Sequence, residues 1–366
     1  INQASVDGFW SDVAGETLAT RVIWKIQGRQ VWIQNSKVDF IRPADRSTVT
    51  WNLRLIGQSG RTTTLRSYNM GSSAQMQFVD NGSQKTFTNI TIDAGTGGNQ
   101  ATYLYSQTAD DDRRSSIGID GELSIPNGGR MLYFRNIEAG KMTMDSTISG
   151  RNSRIHGLSG DILIHGDMLL RNGGHINDTW TIDSLTVEGD LTIDATGGNA
   201  DTYINSISGP VNVTGDILIQ SVGNRQAWII GRGPNYITEL TARNLTIHNE
   251  GDGAWARLFN VRNGNIDIVN DLKITGRYSR IENFMNGDLI VGKNAVIVGP
   301  TYQDNSGIYS SSSGVRFNDM TVGGELILQR KRIYYIDGTL DVTGDITLVS
   351  AEIHGKANIL ANTLTS

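Results

Sequence analysis

Cysteine is absent from this 366-residue chain, and proline is nearly so, with 5. The first absence removes disulfides, thiolate nucleophiles and every cysteine-based metal site. Charge is scarce as well: 19% of residues are charged, and 32 Lys+Arg stand against 37 Asp+Glu. The resulting formal net charge of -5 gives no general attraction for nucleic acid. No run reaches the ~18 consecutive apolar residues of a membrane-spanning helix, so no membrane insertion is expected. Amphipathic helical periodicity is almost missing; its best stretch, Ser11 to Thr20, is short and unevenly apolar. A hydrophobic content of 38% nevertheless argues against a disordered chain.

What is plentiful is glycine, at 43 residues, well above the roughly 7% of average usage. It recurs in one phrase: glycine, a polar residue, then an alternating apolar pair. Examples are Gly121-Glu122-Leu123-Ser124-Ile125, Gly160-Asp161-Ile162-Leu163-Ile164, Gly189-Asp190-Leu191-Thr192-Ile193 and Gly215-Asp216-Ile217-Leu218-Ile219. Arg243-Asn244-Leu245-Thr246-Ile247 and Asn270-Asp271-Leu272-Lys273-Ile274 are variants, and Gly287, Gly324 and Gly344 open later copies. Successive starts lie between 17 and 37 residues apart, the range of stacked repeats.

Each phrase reads as a period-2 strand behind a turn. Asn127-Gly128-Gly129, Asn172-Gly173-Gly174 and Asn263-Gly264-Asn265 supply corners where positive φ is needed. The tightest spacing is about half the ~40 residues of a propeller blade, whereas three short strands in ~20–25 residues make one turn of a parallel β-helix. The expected fold is therefore all-β, a right-handed parallel β-helix. At ~4.8 Å per rung, roughly 15 rungs would form a rod on the order of 70 Å long, with the uneven spacing taken up by loops at the corners.

Residues 1–85 differ. Strands there look longer and more aromatic, at Thr20 to Gln27, Gln30 to Phe40 and Thr48 to Ile56, and the region holds Trp10, Trp24, Trp32 and Trp51. They read as wide rungs or a cap on the solenoid, with 86–366 as its repetitive part. Leu360 to Ser366 stop in mid-pattern, as a cut through a longer rod would.

Aromatic residues track the repeat. Trp180, Tyr203, Trp228, Trp255 and Tyr278 are spaced at close to one rung, so they are expected to form a strip on consecutive rungs. Such a strip can be a structural ring ladder or a surface on which glycans stack. Trp228 and Trp255 follow polar, glycine-containing turns, which favours their reaching solvent.

The Gly338-Thr339-Leu340-Asp341-Val342-Thr343-Gly344-Asp345-Ile346-Thr347-Leu348 cadence, the Asn/Thr/Gly corners and the lack of cysteine resemble large β-helical exoproteins. The likeness, over about residues 85 to 366, is to the two-partner secretion family, the filamentous haemagglutinins and high-molecular-weight adhesins of Gram-negative bacteria. Autotransporter passengers are similar at this level. The family's secretion domain carries Asn-Pro-Asn motifs that this sequence lacks, so the likeness implies an internal adhesive or shaft segment. It further implies secretion to the bacterial cell surface, an outer-membrane secretion partner, and a host-cell glycan or glycoprotein receptor. It also lends meaning to five Asn-x-Ser/Thr sequons, at Asn81, Asn89, Asn177, Asn212 and Asn244. Adhesins of this kind carry hexoses at such sites, although a chain rich in Asn and Thr also produces sequons by chance.

No catalytic, cofactor or metal site is expected. His156, His165 and His175 lack ligand spacing with nearby Asp161, Asp167 and Asp178. Asp110-Asp111-Asp112-Arg113-Arg114 reads as a solvated loop tip. Arg330-Lys331-Arg332 reads as a charged device on a strand edge, or a site for acidic glycans. Gly174-His175-Ile176-Asn177-Asp178-Thr179 has the wrong order for a polysaccharide hydrolase, and Asp194 with Asp216 reads equally as two corner residues. A tailspike-like hydrolase or lyase and an inert shaft of a larger exoprotein, such as a contact-dependent toxin, are the alternative functions.

Overall fold

The structure is a computed structural model. It describes strands Lys37–Phe40, Thr63–Arg66, Ala74–Phe78, Gln84–Phe87 and Thr102–Ser106. It also describes residues 89–93, 114, 116–146, 152–176, 180–197, 200–231, 236–300, 307–310 and 316–366. The segments 11–20 and 110–113 and most of residues 1–85, including their tryptophans, lie outside the described residues.

Among the described residues there are 34 strands and no helix. Every pairing, from Lys37–Phe40 on Ala74–Phe78 to Thr339–Val349 on Asn358–Thr365, is parallel. The strands pair rung to rung rather than in chain order. Leu191–Ala195 lies on Asp216–Ser221, which lies on Asn244–Asn249, which lies on Leu272–Gly276. Two further columns run beside this one, through Thr202–Ile207 on Ala227–Gly231 and through Pro210–Val213 on Glu239–Ala242. The chain thus visits three faces per turn, and the fold is a parallel β-helix.

Alternation explains the core. On the first face Leu191, Ile217, Leu245 and Leu272 are register partners and almost wholly buried, as are Ile193, Ile219, Ile247 and Ile274. The residues between them, Thr192, Leu218, Thr246 and Lys273, point out. Each strand alone could bury only one row; stacking turns the rows into one continuous apolar core.

The corner from the third face to the first accounts for the glycine and aspartate of the repeated phrase. A Cβ on Gly189 would lie 2.7 Å from the carbonyl oxygen of Gly166, and one on Gly215 would lie 2.5 Å from that of Gly189. The acidic or amide residue that follows caps the next rung. The Asp190 N–H donates to Asp167 Oδ1 (3.0 Å), and the Asp216 N–H to Asp190 Oδ1 (2.8 Å). The ladder continues with Asn244 Nδ2 donating to Asp216, the Asp271 N–H to Asn244, the Asn294 N–H to Asp271 and the Glu325 N–H to Asn294. These bonds measure the rung, at 23, 26, 28, 27, 23 and 31 residues.

Some of the uneven spacing of the phrase has a different origin from inserted loops. Gly160–Ile164 and Leu289–Val291 belong to the third face, pairing with Ile182–Val187 and Met320–Val322. The other copies belong to the first face, so intervals across them join different columns. The Arg330-Lys331-Arg332 expectation is also corrected. Strand Arg332–Ile336 is paired on both sides, with Gly307–Tyr309 and Glu352–Gly355, and is no edge. Lys331 is fully buried, and its Nζ donates to the Gly276 carbonyl at 2.7 Å.

Candidate functional site

The second face departs most from the bland repeat. Its middle outward row runs, partner to partner, through Arg130, Arg154, His175, Tyr203, Trp228, Arg257 and Arg280. Inward neighbours Ile155, Ile176, Ile204, Ile229, Leu258 and Ile281 hold these positions by packing in the core.

Three rings of the row stack. His175 lies 4.1 Å from Tyr203 at 20°, and Tyr203 lies 4.9 Å from Trp228 at 7°. The rung spacing of ~4.8 Å produces this arrangement. The rings cover one another's flat faces and turn their edges outward. His175 Nε2 donates to the Asp201 carbonyl at 2.7 Å, which fixes its ring in plane with the stack. Trp228 Nε1 is buried and has no partner.

One rung on, the row changes character. Trp228 is followed in register by Arg257, not by Trp255. Trp255 stands two residues before Arg257, just ahead of its strand, and Tyr278 two before Arg280, in a turn with positive φ, so both rings flank the row rather than belong to it. Trp255 and Tyr278 form their own pair, 5.2 Å apart. The Arg257 guanidinium lies 5.4 Å from the Trp228 ring, 5.5 Å from Trp255 and 5.2 Å from Phe259. That of Arg280 sits over Trp255 at 3.8 Å. Glu282 faces both arginines, at 3.4 Å from Arg257 and 2.8 Å from Arg280. Burial pushes the Arg280 guanidinium below the ordinary arginine value; Glu282 opposes this and Arg257 adds to it. An arginine so held remains charged at neutral pH.

The expected five-ring strip is therefore corrected. Tyr203 and Trp228 are stacked in register, Trp255 and Tyr278 form a second pair, and Arg257 and Arg280 join the two. Trp180 is not in the strip. It precedes strand Ile182–Val187, at the corner where the second face ends, under the Arg114 guanidinium at 4.1 Å. Trp228 lies within strand Ala227–Gly231, while Trp255 does stand at the edge of a turn. The aromatic spacing alone does not reveal the arginines and Glu282. The signal for them was the repeated aromatic-x-arginine, Trp255-Ala256-Arg257 and Tyr278-Ser279-Arg280.

Of the sequons, Asn81 and Asn177 lie outside the described residues. Asn89, Asn212 and Asn244 are all half-buried and none is in the core. Asn89 Oδ1 accepts the Glu122 N–H, Asn212 Oδ1 accepts the Thr241 hydroxyl, and Asn244 uses both ends of its amide in the corner ladder. The histidines are dispersed: His165 bridges Glu138 and Glu188 at 3.1 and 3.0 Å, far from the His175 stack. Among the described residues no group of three or more His, Asp or Glu is arranged to hold a metal ion. Asp194 accepts the Thr196 N–H, and Asp216 belongs to the corner ladder with Arg243 at 2.7 Å.

Comparison of the chain with protein-family models, with curated proteins and with solved structures finds no match in any of the three.

Proposed function

We propose that this chain is an adhesive segment of a secreted or surface-exposed bacterial protein, and that it binds a host glycan or glycoprotein through the second face. The observation that carries the reading is the cluster Trp228, Trp255, Arg257, Arg280 and Glu282, where aromatic and arginine side chains share a surface across three rungs. Tryptophan, tyrosine and arginine are the side chains that dominate binding energy at recognition surfaces. The resemblance to two-partner secretion exoproteins supports the setting, including an outer-membrane secretion partner for the whole protein.

A glycan array probed with the chain and with a Trp255→Ala, Arg257→Ala double variant tests this. Binding to a defined set of glycans is expected, with a loss in the variant of about 2 kcal/mol, roughly 30-fold. Retained binding in a folded double variant excludes this face.

One observation favours the inert-shaft alternative for part of the face. The His175–Tyr203–Trp228 rings hide their flat faces in one another, leaving only edges for a ligand. Silence across the array, with normal folding, is the outcome that reading expects. Hexose modification, where it occurs, is expected at Asn212 before Asn244. The Asn244 amide nitrogen is already committed to Asp216 at 2.8 Å. Intact mass after co-expression with a cytoplasmic glycosyltransferase checks the order.

A further inference from the structure

We propose that the glycan bound on this face is acidic, and that the guanidinium groups of Arg257 and Arg280, beside the ring of Trp255, take its carboxylate or sulfate group. This rests on the reading of the second face as a glycan-binding surface and adds the chemistry of the ligand.

Arg257 and Arg280 are register partners on adjacent rungs, so their backbones stand ~4.8 Å apart. The two guanidinium groups carry like charge and repel, Arg257 being among the groups that lower the Arg280 pKa, and burial from water sharpens the repulsion. A single carboxylate, Glu282, faces both. The cluster therefore keeps an excess positive charge. Nor is Glu282 enough to satisfy the donors: Arg257 makes one hydrogen bond, from Nη1 to Glu282 at 3.4 Å. Its Nε, like the Nε of Arg280, is buried without a partner. The side chains are 22% and 11% exposed, so each reaches the surface with part of its fork only.

The two groups are also held in place. Arg280 lies flat enough on Trp255 to bring its centre within 3.8 Å of the ring centroid, and Arg257 is surrounded by Trp228, Trp255 and Phe259. A fixed guanidinium loses little freedom on pairing; with Nη1 of Arg257 and Nη2 of Arg280 engaged by Glu282, the other Nη of each is left to donate to an oxygen of one carboxylate or sulfate. A second charged arginine one rung away adds attraction for the same anion. The face does not suit a dense polyanion. Glu250, in the turn before Trp255, is strongly exposed, while Asp252 beside it is paired with Arg277, and the whole chain is at -5. Glu250 and the net negative charge disfavour closely spaced phosphates but leave room for one sugar acid group at a time.

The experiment uses the chain unchanged and a set of immobilised probes. These share one core and are not equal in size: lactose, lactose carrying sialic acid and lactose carrying a sulfate ester, with galactosyl-lactose as a neutral trisaccharide control, read by surface plasmon resonance in 50 and 150 mM salt. At least one acidic probe is expected to bind ten-fold or more tightly than either neutral probe, and the carboxylate and sulfate arms identify which anion is preferred. Arg257→Gln is expected to collapse that preference toward equal affinity. Arg280→Lys serves as the second variant, since Arg280 is the more buried and its loss can unfold the rung; keeping a charge but not the fork, it is expected to weaken acidic binding five-fold or more. Equal binding of neutral and acidic probes by the native chain overturns the inference and leaves the glycan-binding reading standing. An acidic preference that survives in a folded Arg257→Gln variant overturns it too. Binding to none of the probes, nor to any glycan on the array, overturns both.

Discussion

Phe284 and Phe317 stack one rung above another inside the protein, and Tyr203 and Trp228 do so outside it. Phe284 and Phe317 are fully buried with centroids 5.3 Å apart; Tyr203 and Trp228 are half-buried with centroids 4.9 Å apart. The geometry is nearly the same because rung spacing dictates it, but the columns differ. The interior pair is flanked by Val261 and Ile336, and in that column any apolar side chain of suitable volume serves. The exterior pair continues into His175 on one side and Arg257 on the other. His175 and Arg257 are themselves largely covered, yet neither fills the interior, so core volume does not dictate their identity. An outward column that keeps rings and guanidinium groups in contact is therefore informative about use, where an inward column is informative only about packing.

Substitution should separate the two pairs. Phe317→Ala is expected to lower stability by about 3–5 kcal/mol, as for other fully buried aromatics. Trp228→Ala is expected to lower it by about 1–2 kcal/mol, since the ring is only partly buried, lies outside the apolar core, and loses one neighbour on each side. Urea denaturation followed by tryptophan fluorescence, with Trp228→Ala followed by circular dichroism, gives both values. Equal losses would mean that the outer stack is part of the core in all but position, and would favour a shaft over a binding face.

The inside of the molecule was legible in the sequence for the reason this comparison gives. Leu191, Ile217, Leu245 and Leu272 recur because one physical demand, filling the interior at each rung, recurs with them. The glycine and aspartate of the phrase recur because each corner needs a close backbone approach and an acceptor for the next N–H. That demand is so general that the phrase serves two corners, at Gly160 and Gly287 as well as at Gly189, and the sequence does not say which. The outer face was half legible. Rings spaced by about a rung stand out in the sequence, but a rung here is 19 residues from Leu123 to Met142 and 33 from Ile90 to Leu123. An offset of two residues decides whether a ring falls in the middle row, with Trp228, or at the strand's start, with Trp255. Trp180 shows the limit: its spacing fitted, and the strand it precedes lies on a different face.

Between the core and the exposed rings stands the corner ladder, which is polar yet repeated. Removing one acceptor, by Asp190→Ala, leaves the Asp216 N–H without its 2.8 Å partner. Water can reach that corner, so a loss of about 1 kcal/mol is expected rather than the larger figure for an orphaned buried donor. Asp190→Asn keeps an acceptor oxygen and should recover most of it. A recovery by alanine alone, with no loss to explain, would show that the glycine approach and not the side chain sets the corner.

The smallest effect belongs to the most exposed contact, and its sign can be fixed in advance. His165 sits between Glu138 of one neighbouring rung and Glu188 of the other. Hydrogen bonds to Glu138 and then Glu188 raise its pKa above the ordinary histidine value, against a slight lowering by burial. The unfolded chain titrates at about 6.5. Below that value the protonated ring contributes its full stabilisation; as pH rises through the raised folded value the contribution is lost. Asp216 runs the other way: hydrogen bonds from Arg243 and Asn244 lower its pKa, and its contribution disappears only as pH falls below the ordinary aspartate range of about 3.9. Between pH 5.5 and 8.5 the histidine is thus the group to watch. Exposed ion pairs contribute about 0–1 kcal/mol, so the shift will be at the small end of that range. The urea midpoint of the native chain should exceed that of His165→Gln at pH 5.5 and converge with it by pH 8.5. A difference of the same size at both ends would assign His165 to packing across the corner, and the outward polar side chains would then join the interior as elements whose role is shape alone.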